Sequence, residues 1–519
     1  MSSVRFHTPA RQLWAMITRQ DGVAPCSAPR VAYIQNGVLS LYTPAQFGEF
    51  DKCLVDWNGE DDPENPQNWS TGRKTFVFFQ ICLLTFAVYS GSAIISPAQP
   101  TFIKIFGVSS QASTLVMSMF VLGYGTGPLF FSPLSEVPRV GRNIPYMTSF
   151  FLFILMTVAA SRVSNYPGLV VLRFLQGFLG GPVLATGGAS AADIFGFLKI
   201  PYALTFWTCA AYGGPALGPL LSGFSVTNST WRWSMYELLI LSGATFVLLF
   251  FCLPETNPET ILLLRARRLR MLTGNLKLRS QSEIKQEGIH IMQILARYLT
   301  TPFRVTVQDP SIAFINVYTA LIYGIYYSFF ESFPLVYINM HGFSMGMMGV
   351  VFLCLIIACI IGASAYLLLV WLVYEPYTMK MGIGMPEHRL LPGVFTAALA
   401  PAGLFIFAWT SRPDIHWIAP TIGIVLFSSC VFVLASVIFI YLPTSYPRYA
   451  ASLFAANTFF RSILASTAIH FSQPLFQNLG IGRGCSVLGG LTAGCFLGVV
   501  VLWRFGPSLR ARSRFAESY

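Results

Sequence analysis

Four ionisable side chains stand inside stretches that are otherwise apolar: Arg173, Glu237, Glu331 and Arg461, with Asp193 near the end of one such stretch. A carboxyl group so placed can take up and release a proton, and a guanidinium can hold an anion or an acceptor-rich solute. Each is therefore expected to face a cavity or a polar partner rather than hydrocarbon. Glu331 lies in Tyr326-Tyr327-Ser328-Phe329-Phe330-Glu331-Ser332-Phe333-Pro334, where it is expected to protonate or to contact a solute from an aromatic cavity. A structural hydrogen bond to a neighbouring helix is the alternative. Arg173 and Gln176 share Leu172-Arg173-Phe174-Leu175-Gln176-Gly177, and both Arg173 and Arg461 either serve the cavity or bind backbone carbonyls. Glu237, beside Arg232 and Trp233, reads as a structural ion pair.

The elements that must position these groups are long apolar runs. Hydrophobic residues make up 54% of the 519-residue chain and charged residues 10%, and mean hydropathy is +0.60. Runs of about 20 residues span the roughly 30 Å hydrocarbon core as helices, and they are too long and too evenly apolar for barrel strands. Twelve spans are expected at 75–96, 113–133, 144–161, 169–191, 202–224, 234–253, 311–333, 347–371, 391–411, 416–440, 449–472 and 484–504. The fold class is thus an all-α membrane protein with 12 transmembrane helices in two six-helix halves. The boundaries read as a largely disordered N-terminal tail (1–72), a first half (73–253), a basic linker (254–310), a second half (311–504) and a short C-terminal tail (505–519). An even number of crossings puts both termini on one face. Twenty-six Lys and Arg residues fall on that face and five on the other, which predicts that both termini are cytoplasmic.

The net charge of +12 is accordingly a topology signal with an attraction to anionic lipid, and implies no nucleic-acid partner. Residues 1–72 hold no signal-peptide core, so the first span is the targeting signal. The cysteines imply no disulfide framework. Asn228-Ser229-Thr230 is a glycosylation sequon in an expected outer loop. In the linker, Ile261–Leu272 interleaves leucines with Arg265, Arg267, Arg268 and Arg270, the pattern of a basic amphipathic helix lying on the inner leaflet.

Three connector and helix motifs carry further chemistry. Gly127-Pro-Leu-Phe-Phe-Ser-Pro-Leu-Ser-Glu136-Val-Pro-Arg139-Val-Gly141-Arg142-Asn143 joins the second and third spans; its glycine suits a tight turn and its arginines can pair with Glu136. Arg173-x-x-Gln176-Gly177 lies in the fourth span. Gly213-Gly214-Pro215-Ala216-Leu217-Gly218-Pro219 in the fifth combines small residues for close helix approach with prolines that bend the helix. Together these resemble the motifs of the major facilitator superfamily, in particular its fungal twelve-spanner drug:proton antiporters. Asp62-Pro63-Glu64-Asn65-Pro66-Gln67-Asn68-Trp69, Trp231-Arg232-Trp233, Tyr446-Pro447-Arg448-Tyr449-Ala450 and Asn457-Thr458-Phe459 are similar to stretches of that fungal group, and the likeness runs from about residue 57 to 516.

The resemblance implies alternating access driven by protons, with Arg173 of the helix-four motif implicated in proton coupling; Gln176 beside it, and Glu331 and Arg461 as read above, are the further candidates for proton coupling or substrate contact. It implies a cytoplasmic gate of Glu136, Arg139 and Arg142, and an antiporter helix carrying Gly214, Pro215, Gly218 and Pro219. Two departures stand out: Glu136 replaces a more usual Asp, and Tyr441-Leu442-Pro443-Thr444-Ser445 lacks the acid that ordinarily ends the tenth span, which predicts weaker charge pairing there. The expected function is export of small amphipathic compounds (drugs, toxins or a secondary metabolite) by a monomer in the plasma membrane, or alternatively in a vacuolar or vesicle membrane. Polyamines or organic acids are the rival substrates, and a transport-inactive sensor is the rival class. The chain carries no Walker loop, metal-spaced cluster or nucleophile motif, so no enzyme, cofactor or metal is expected; the proton gradient is the energy source and the partners are solute, protons and the bilayer.

Overall fold

The computed structural model describes residues 54–287, 291–382, 386–446 and 450–513, together with residues 8 and 10. The expectation of a disordered tail lies, up to residue 53, outside the described residues, as do the middle of Tyr446-Pro447-Arg448-Tyr449-Ala450 and residues 514–519.

Helix α1 (Thr71–Ala93) leads through a short turn into α2 (Gln99–Phe106), and α3 (Ser110–Glu136), α4 (Asn143–Arg162) and α5 (Tyr166–Gly180) follow. Helix α6 (Val183–Ile194) continues α5, and α7 (Ile200–Asn228) and α8 (Arg232–Cys252) complete the first set. The linker holds α9 (Pro258–Thr273), α10 (Gln281–Lys285) and α11 (Ile291–Gln308). The second set comprises α12 (Pro310–Phe333), α13 (Met345–Val351), α14 (Leu353–Leu369), α15 (Glu375–Met381), α16 (Leu391–Thr410), α17 (Ile418–Ser445) and α18 (Ala450–Arg512). Local chemistry starts these helices where expected. Ser109 Oγ accepts from Ala112 N–H (3.1 Å), Asn165 Oδ1 from Gly168 N–H (2.8 Å), and Asp309 Oδ1 from Ser311 N–H (2.9 Å) ahead of Pro310.

Ten helical stretches among the described residues are long and apolar enough to cross a membrane. The last, Ser452–Arg510, crosses twice: it leaves the linker face, reaches the opposite face where Gln473 meets Ser110, turns at Gly480 (φ 76°, ψ 160°), and returns to pair Arg510 with Glu387. Only glycine adopts that backbone conformation without strain. Ile200–Asn228 also crosses, although glycines, prolines and hydroxyls dilute its hydropathy. The twelve crossings read from sequence are thereby accounted for. Within the first set α3 packs on α5, and α7 on α1; within the second, α12 and α16 pack on α18, and α16 and α14 on α17. The two sets meet along α3 with α18 and along α7 with α13 and α14.

The linker differs from the leaflet helix expected. Leu54–Val55 pairs in parallel with Arg279–Ser280, over a small apolar core of Val55, Ala266, Leu269 and Leu278. Asp62 accepts from Arg265 (2.7 Å), Glu64 pairs with Arg265 (3.2 Å) and Arg268 (3.1 Å), and Glu283 pairs with Arg270 (2.8 Å). Arg265 and Arg268 of α9 thus face the acidic segment before α1, which folds back onto them, and Arg270 faces Glu283, while Arg267 is exposed. Asn65 supports that segment by accepting from Gln67 N–H (3.1 Å), and Arg73 stacks 3.8 Å over the ring of buried Trp69.

Burial alone would push the Asp62 carboxyl up, but the Arg265 guanidinium and the N–H groups of Asn58 and Glu64 hold it below its ordinary 3.8. A carboxyl depressed in the folded state contributes stability that is complete above its unfolded value and is lost as pH falls through the folded one. The clasp between residues 54–64 and α9 should therefore persist at neutral pH and open only below about pH 4. D62N should open it at pH 7. Amide hydrogen exchange at Val55 and Ser280 in the purified protein measures this, and wild-type protection in D62N would refute it.

Candidate functional site

A small cavity within the second set of helices, closed on one side by Tyr212 of the first, is lined by Tyr318, Thr319, Tyr323, Asn457 and Arg461 together with Ile322, Phe439 and aliphatic side chains of α17. Arg461 is its centre. It is buried, donates from Nη2 to Tyr89 Oη (2.8 Å) across the interface, and lies 4.9 Å from the Tyr323 ring centroid and 5.5 Å from that of Phe439. Its Nε has no hydrogen-bond partner, and no ion pair to it exists among the described residues. A buried cation held by phenol and ring faces, with a donor to spare, is a handle for an acceptor-bearing solute. Asn457 Nδ2 donates to Thr319 Oγ1 (2.6 Å) and Asn316 Oδ1 (3.2 Å), which orients the polar wall of α12 and α18.

A tyrosine chain continues from this cavity between the halves. Tyr124 Oη meets Tyr323 Oη (2.9 Å) and Tyr327 Oη (3.1 Å), Ser92 Oγ meets Tyr327 Oη (3.0 Å), and Tyr212 packs edge-on to Tyr326 at 5.3 Å. On the face opposite the linker the contacts between halves are mostly uncharged. Gln99 Nε2 donates to Glu331 Oε1 (3.0 Å), Ser110 bonds Gln473, and the His470 ring bridges Thr114 (3.1 Å) and Ser118 (2.7 Å). Glu331 is buried, but its carboxyl meets Gln99 and does not line the cavity. On the linker face, Lys199 (2.7 Å) and Tyr202 (2.5 Å) converge on Glu375, and Arg389 lies 5.0 Å from the Phe197 ring centroid.

Arg173 and Gln176 sit elsewhere. Arg173 donates to the carbonyls of Val116 (3.1 Å), Gly91 (2.7 Å) and Ser92 (3.3 Å) and to Gln176 Oε1 (3.1 Å), with its guanidinium 4.3 Å from the Phe120 ring centroid. Gln176 Nε2 in turn donates to Thr157 Oγ1 (2.8 Å). This network ties α1, α3, α4 and α5 together inside the first half. Gly214 and Gly218 allow α7 to lie against α1: a Cβ on either would come within 2.8–2.9 Å of Ser90 backbone atoms. Pro215 and Pro219 are buried in the same stretch, and a Cβ on Gly349 of α13 would meet the Pro219 carbonyl at 2.9 Å.

Of the connector residues, Arg142 pairs with Asp193 (3.1 Å) and donates to Ser135 (3.0 Å). Burial would lower its pKa, yet Asp193 and Glu136 outweigh that and hold it above its ordinary value. Glu136 is half-buried beside it and Arg139 is exposed. The partner that sequence reading missed is Glu255: its carboxylate accepts from the backbone N–H groups of Arg142, Asn143, Thr256 and Asn257 at 2.9–3.1 Å, capping the start of α4. Gly141 has φ 73°, and a Cβ there would sit 2.5 Å from Glu255 Oε2. These groups belong to the first half and, in Glu255, to the start of the linker, so the cluster braces that half at its linker end. In the second half the acid absent from the end of α17 is supplied from other elements: Glu387 pairs with Arg510 (3.1 Å) and Asp309 accepts from Tyr446 Oη (2.7 Å). The ion pair expected of Glu237 is not formed with Arg232, which donates to the Val163 carbonyl (3.4 Å). Asn228 is exposed at the end of α7.

Two bundles of membrane helices that meet along buried side chains, with polar contacts joining them on both faces, are the architecture of a membrane transporter. The family model of the Major Facilitator Superfamily matches residues 81–469, and the chain belongs to that superfamily. It is 46% identical over 465 residues to the MFS-type transporter pyvG of Aspergillus violaceofuscus, spanning 89% of this chain and 85% of that protein. It is 40% identical to the cycloheximide resistance protein of Candida maltosa over 90% of this chain and 86% of that one. Among solved structures, the proton:xylose symporter XylE shares the fold with a TM-score of 0.60 at 14% identity, covering 84% of this chain and 96% of that one.

Because Arg173 is held by carbonyls in a planar fork, lysine cannot replace it. R173K should lower the unfolding free energy of the detergent-purified protein by about 2–3 kcal/mol, the cost of unmade charged hydrogen bonds. R461K, whose guanidinium has one fixed partner, should change it by less than about 1 kcal/mol. Denaturation monitored by tryptophan fluorescence gives both values, and equal losses would refute the distinction.

Proposed function

We propose that this superfamily transporter is a proton-coupled antiporter that exports small amphipathic organic compounds by alternating access. It would act from the plasma membrane with both termini in the cytoplasm. The observation that carries this reading is the cavity around Arg461: aromatic rings and aliphatic side chains for a hydrophobic body, and a buried guanidinium with a donor to spare for a carbonyl, ether or acidic oxygen. The relatives support it, one being named for cycloheximide resistance. No carboxylate lines the cavity among the described residues, which disfavours polyamines. The same lone guanidinium favours organic acids as the second substrate class.

In this reading the solute enters between the halves from the linker face, where Glu375 lets go of Lys199 and Tyr202. Release follows when the contacts of Glu331 and His470 open on the other side. A proton taken up by Glu331 turns one of its oxygens from acceptor to donor, so the bond from Gln99 must be remade. Glu331 is thereby the group through which proton uptake and the outer contact are linked. Arg173 and Gln176 hold the first half rigid while it rocks, and the Glu136, Arg139 and Arg142 connector holds its linker-face end. No cofactor takes part.

Pump-deficient yeast expressing the chain, loaded with a panel of dyes, antifungals, organic acids and polyamines, tests the reading. Accumulation should fall, a protonophore should abolish the fall, and R461A should reduce export at least about tenfold at equal surface amount. E331Q should retain the protein at the surface while removing the dependence of export on external pH. Export that persists unchanged with the protonophore would sink the proton-coupled mechanism, and export unchanged in R461A would sink the cavity assignment.

A further inference from the structure

A second cavity lies at the linker-face edge of the membrane region, on the outside of the bundle, between the end of α14–α15 and the start of α16. The backbone widens here into a π turn at Val370–Tyr374, and Tyr374 Oη donates to the His388 carbonyl (3.1 Å), which ties the two walls together. The walls change character along their length. Leu369, Val373, Leu391 and Phe395 line the deeper part, and Val373 and Phe395 are more than half exposed toward the surround of the bundle. Thr378, His388 and Arg389 line the part at the edge, and Lys380 is exposed on the same short helix as Thr378. From Thr378 back to Leu369 a helix rises roughly 13 Å, and from His388 on to Phe395 roughly 10 Å. The groove therefore runs from a basic, hydrogen-bonding mouth to an apolar floor over the length of a lipid headgroup and the upper part of its chain.

The nearby carboxylates do not oppose an anion at the mouth. Glu375 is engaged by Lys199 and Tyr202, and Glu387 by Arg510. The apolar neighbours Leu368, Trp371 and Leu372 are exposed around the groove, as a surface facing hydrocarbon would be. We infer that this groove is a binding site for one anionic phospholipid, with its phosphate at the exposed Lys380 and His388 beside the groove's edge and an acyl chain along Val373 and Phe395. Basic pockets between spans on the cytoplasmic side suit such headgroups. The assignment to the cytoplasmic leaflet rests on the orientation proposed above; the site itself does not. Because Glu375 stands on the same short helix as Tyr377 and Thr378, a lipid seated there would steady the element that carries the linker-face contact between the halves.

Native mass spectrometry of the full chain, released from detergent after titration with phosphatidylserine or phosphatidylcholine, tests the inference without reference to transport or orientation. The wild-type protein should keep one phosphatidylserine and little phosphatidylcholine. The K380Q/H388Q double variant should retain roughly fivefold or more less phosphatidylserine, the loss expected for basic groups at a membrane surface. V373W, which fills the floor, should remove retention while leaving the unfolding midpoint of the protein unchanged. Equal retention of both lipids, wild-type retention in both variants, or displacement of phosphatidylserine by inorganic phosphate with no role for the floor would each overturn the site. A negative result here would leave the export reading standing, and failed export would leave this site standing.

Discussion

Hydrocarbon offers no hydrogen bonds, so every polar group in these helices must find its partner within the protein. Arg173 shows what that constraint builds. A guanidinium has five donors and no acceptor, and in the first half three of its partners are main-chain carbonyls, drawn from α1 and α3. Those carbonyls can be reached only because the helices lie very close, as the contact of α7 glycines with the Ser90 backbone illustrates for the neighbouring pair. Small residues and the buried arginine are thus two parts of one arrangement: the first brings helices together, and the second fastens their backbones. The result is a rigid half that can move as a body.

The second half answers the same constraint differently at its centre. Arg461 is as deeply buried as Arg173, yet its fixed hydrogen bond is to a phenol on the other half, and its remaining surroundings are ring faces. A cation left in that condition is costly unless something completes it. Because Arg461 bonds Tyr89 of the first half, that incompleteness lies where the two halves meet, and in the proposed reading a solute that satisfies Arg461 would also change what holds them together. In the proposed cycle a contact such as Arg461 to Tyr89 would be broken and remade, whereas the Arg173 network, wholly within one half, need not change at all.

Much of this was legible in the chain. Span positions follow from hydropathy, and the twelve crossings recur in the structure, including α7, whose glycines and prolines weaken its signal. Asp309-Pro310 and Asn165-Tyr166-Pro167 mark helix starts by chemistry that acts within a few residues. What could not be read were partners distant in sequence. Glu255 opens the polar linker after the sixth expected span, and nothing local says that it caps a helix more than a hundred residues earlier. The arginines of α9 look membrane-seeking until Asp62 and Glu64 are seen to fold onto them. Arg173 and Arg461 have the same local signature, a basic residue in an apolar run, and only packing separates a carbonyl brace from a cavity wall. Tyr124, Tyr212 and His470 were overlooked because aromatic and hydroxyl residues are common in such helices and period alone does not say which face the partner half.

The distribution of charge between the two faces completes the argument. On the linker face, ion pairs brace each half separately, Arg142 with Asp193 in the first and Arg510 with Glu387 in the second, while Lys199 with Glu375 joins them. On the opposite face the joining groups are hydroxyls, an imidazole, amides and a single carboxyl. Ion pairs at a wet membrane edge exchange readily with water and are worth little each, so the linker-face contact is easily opened by a solute or a change in its surroundings. Bonds that meet a buried carboxyl and an imidazole can respond instead to a proton, because Glu331 and His470 each change hydrogen-bonding role and charge together. Two faces built from different chemistry can therefore answer to different signals, as the proton-coupled exchange proposed above requires.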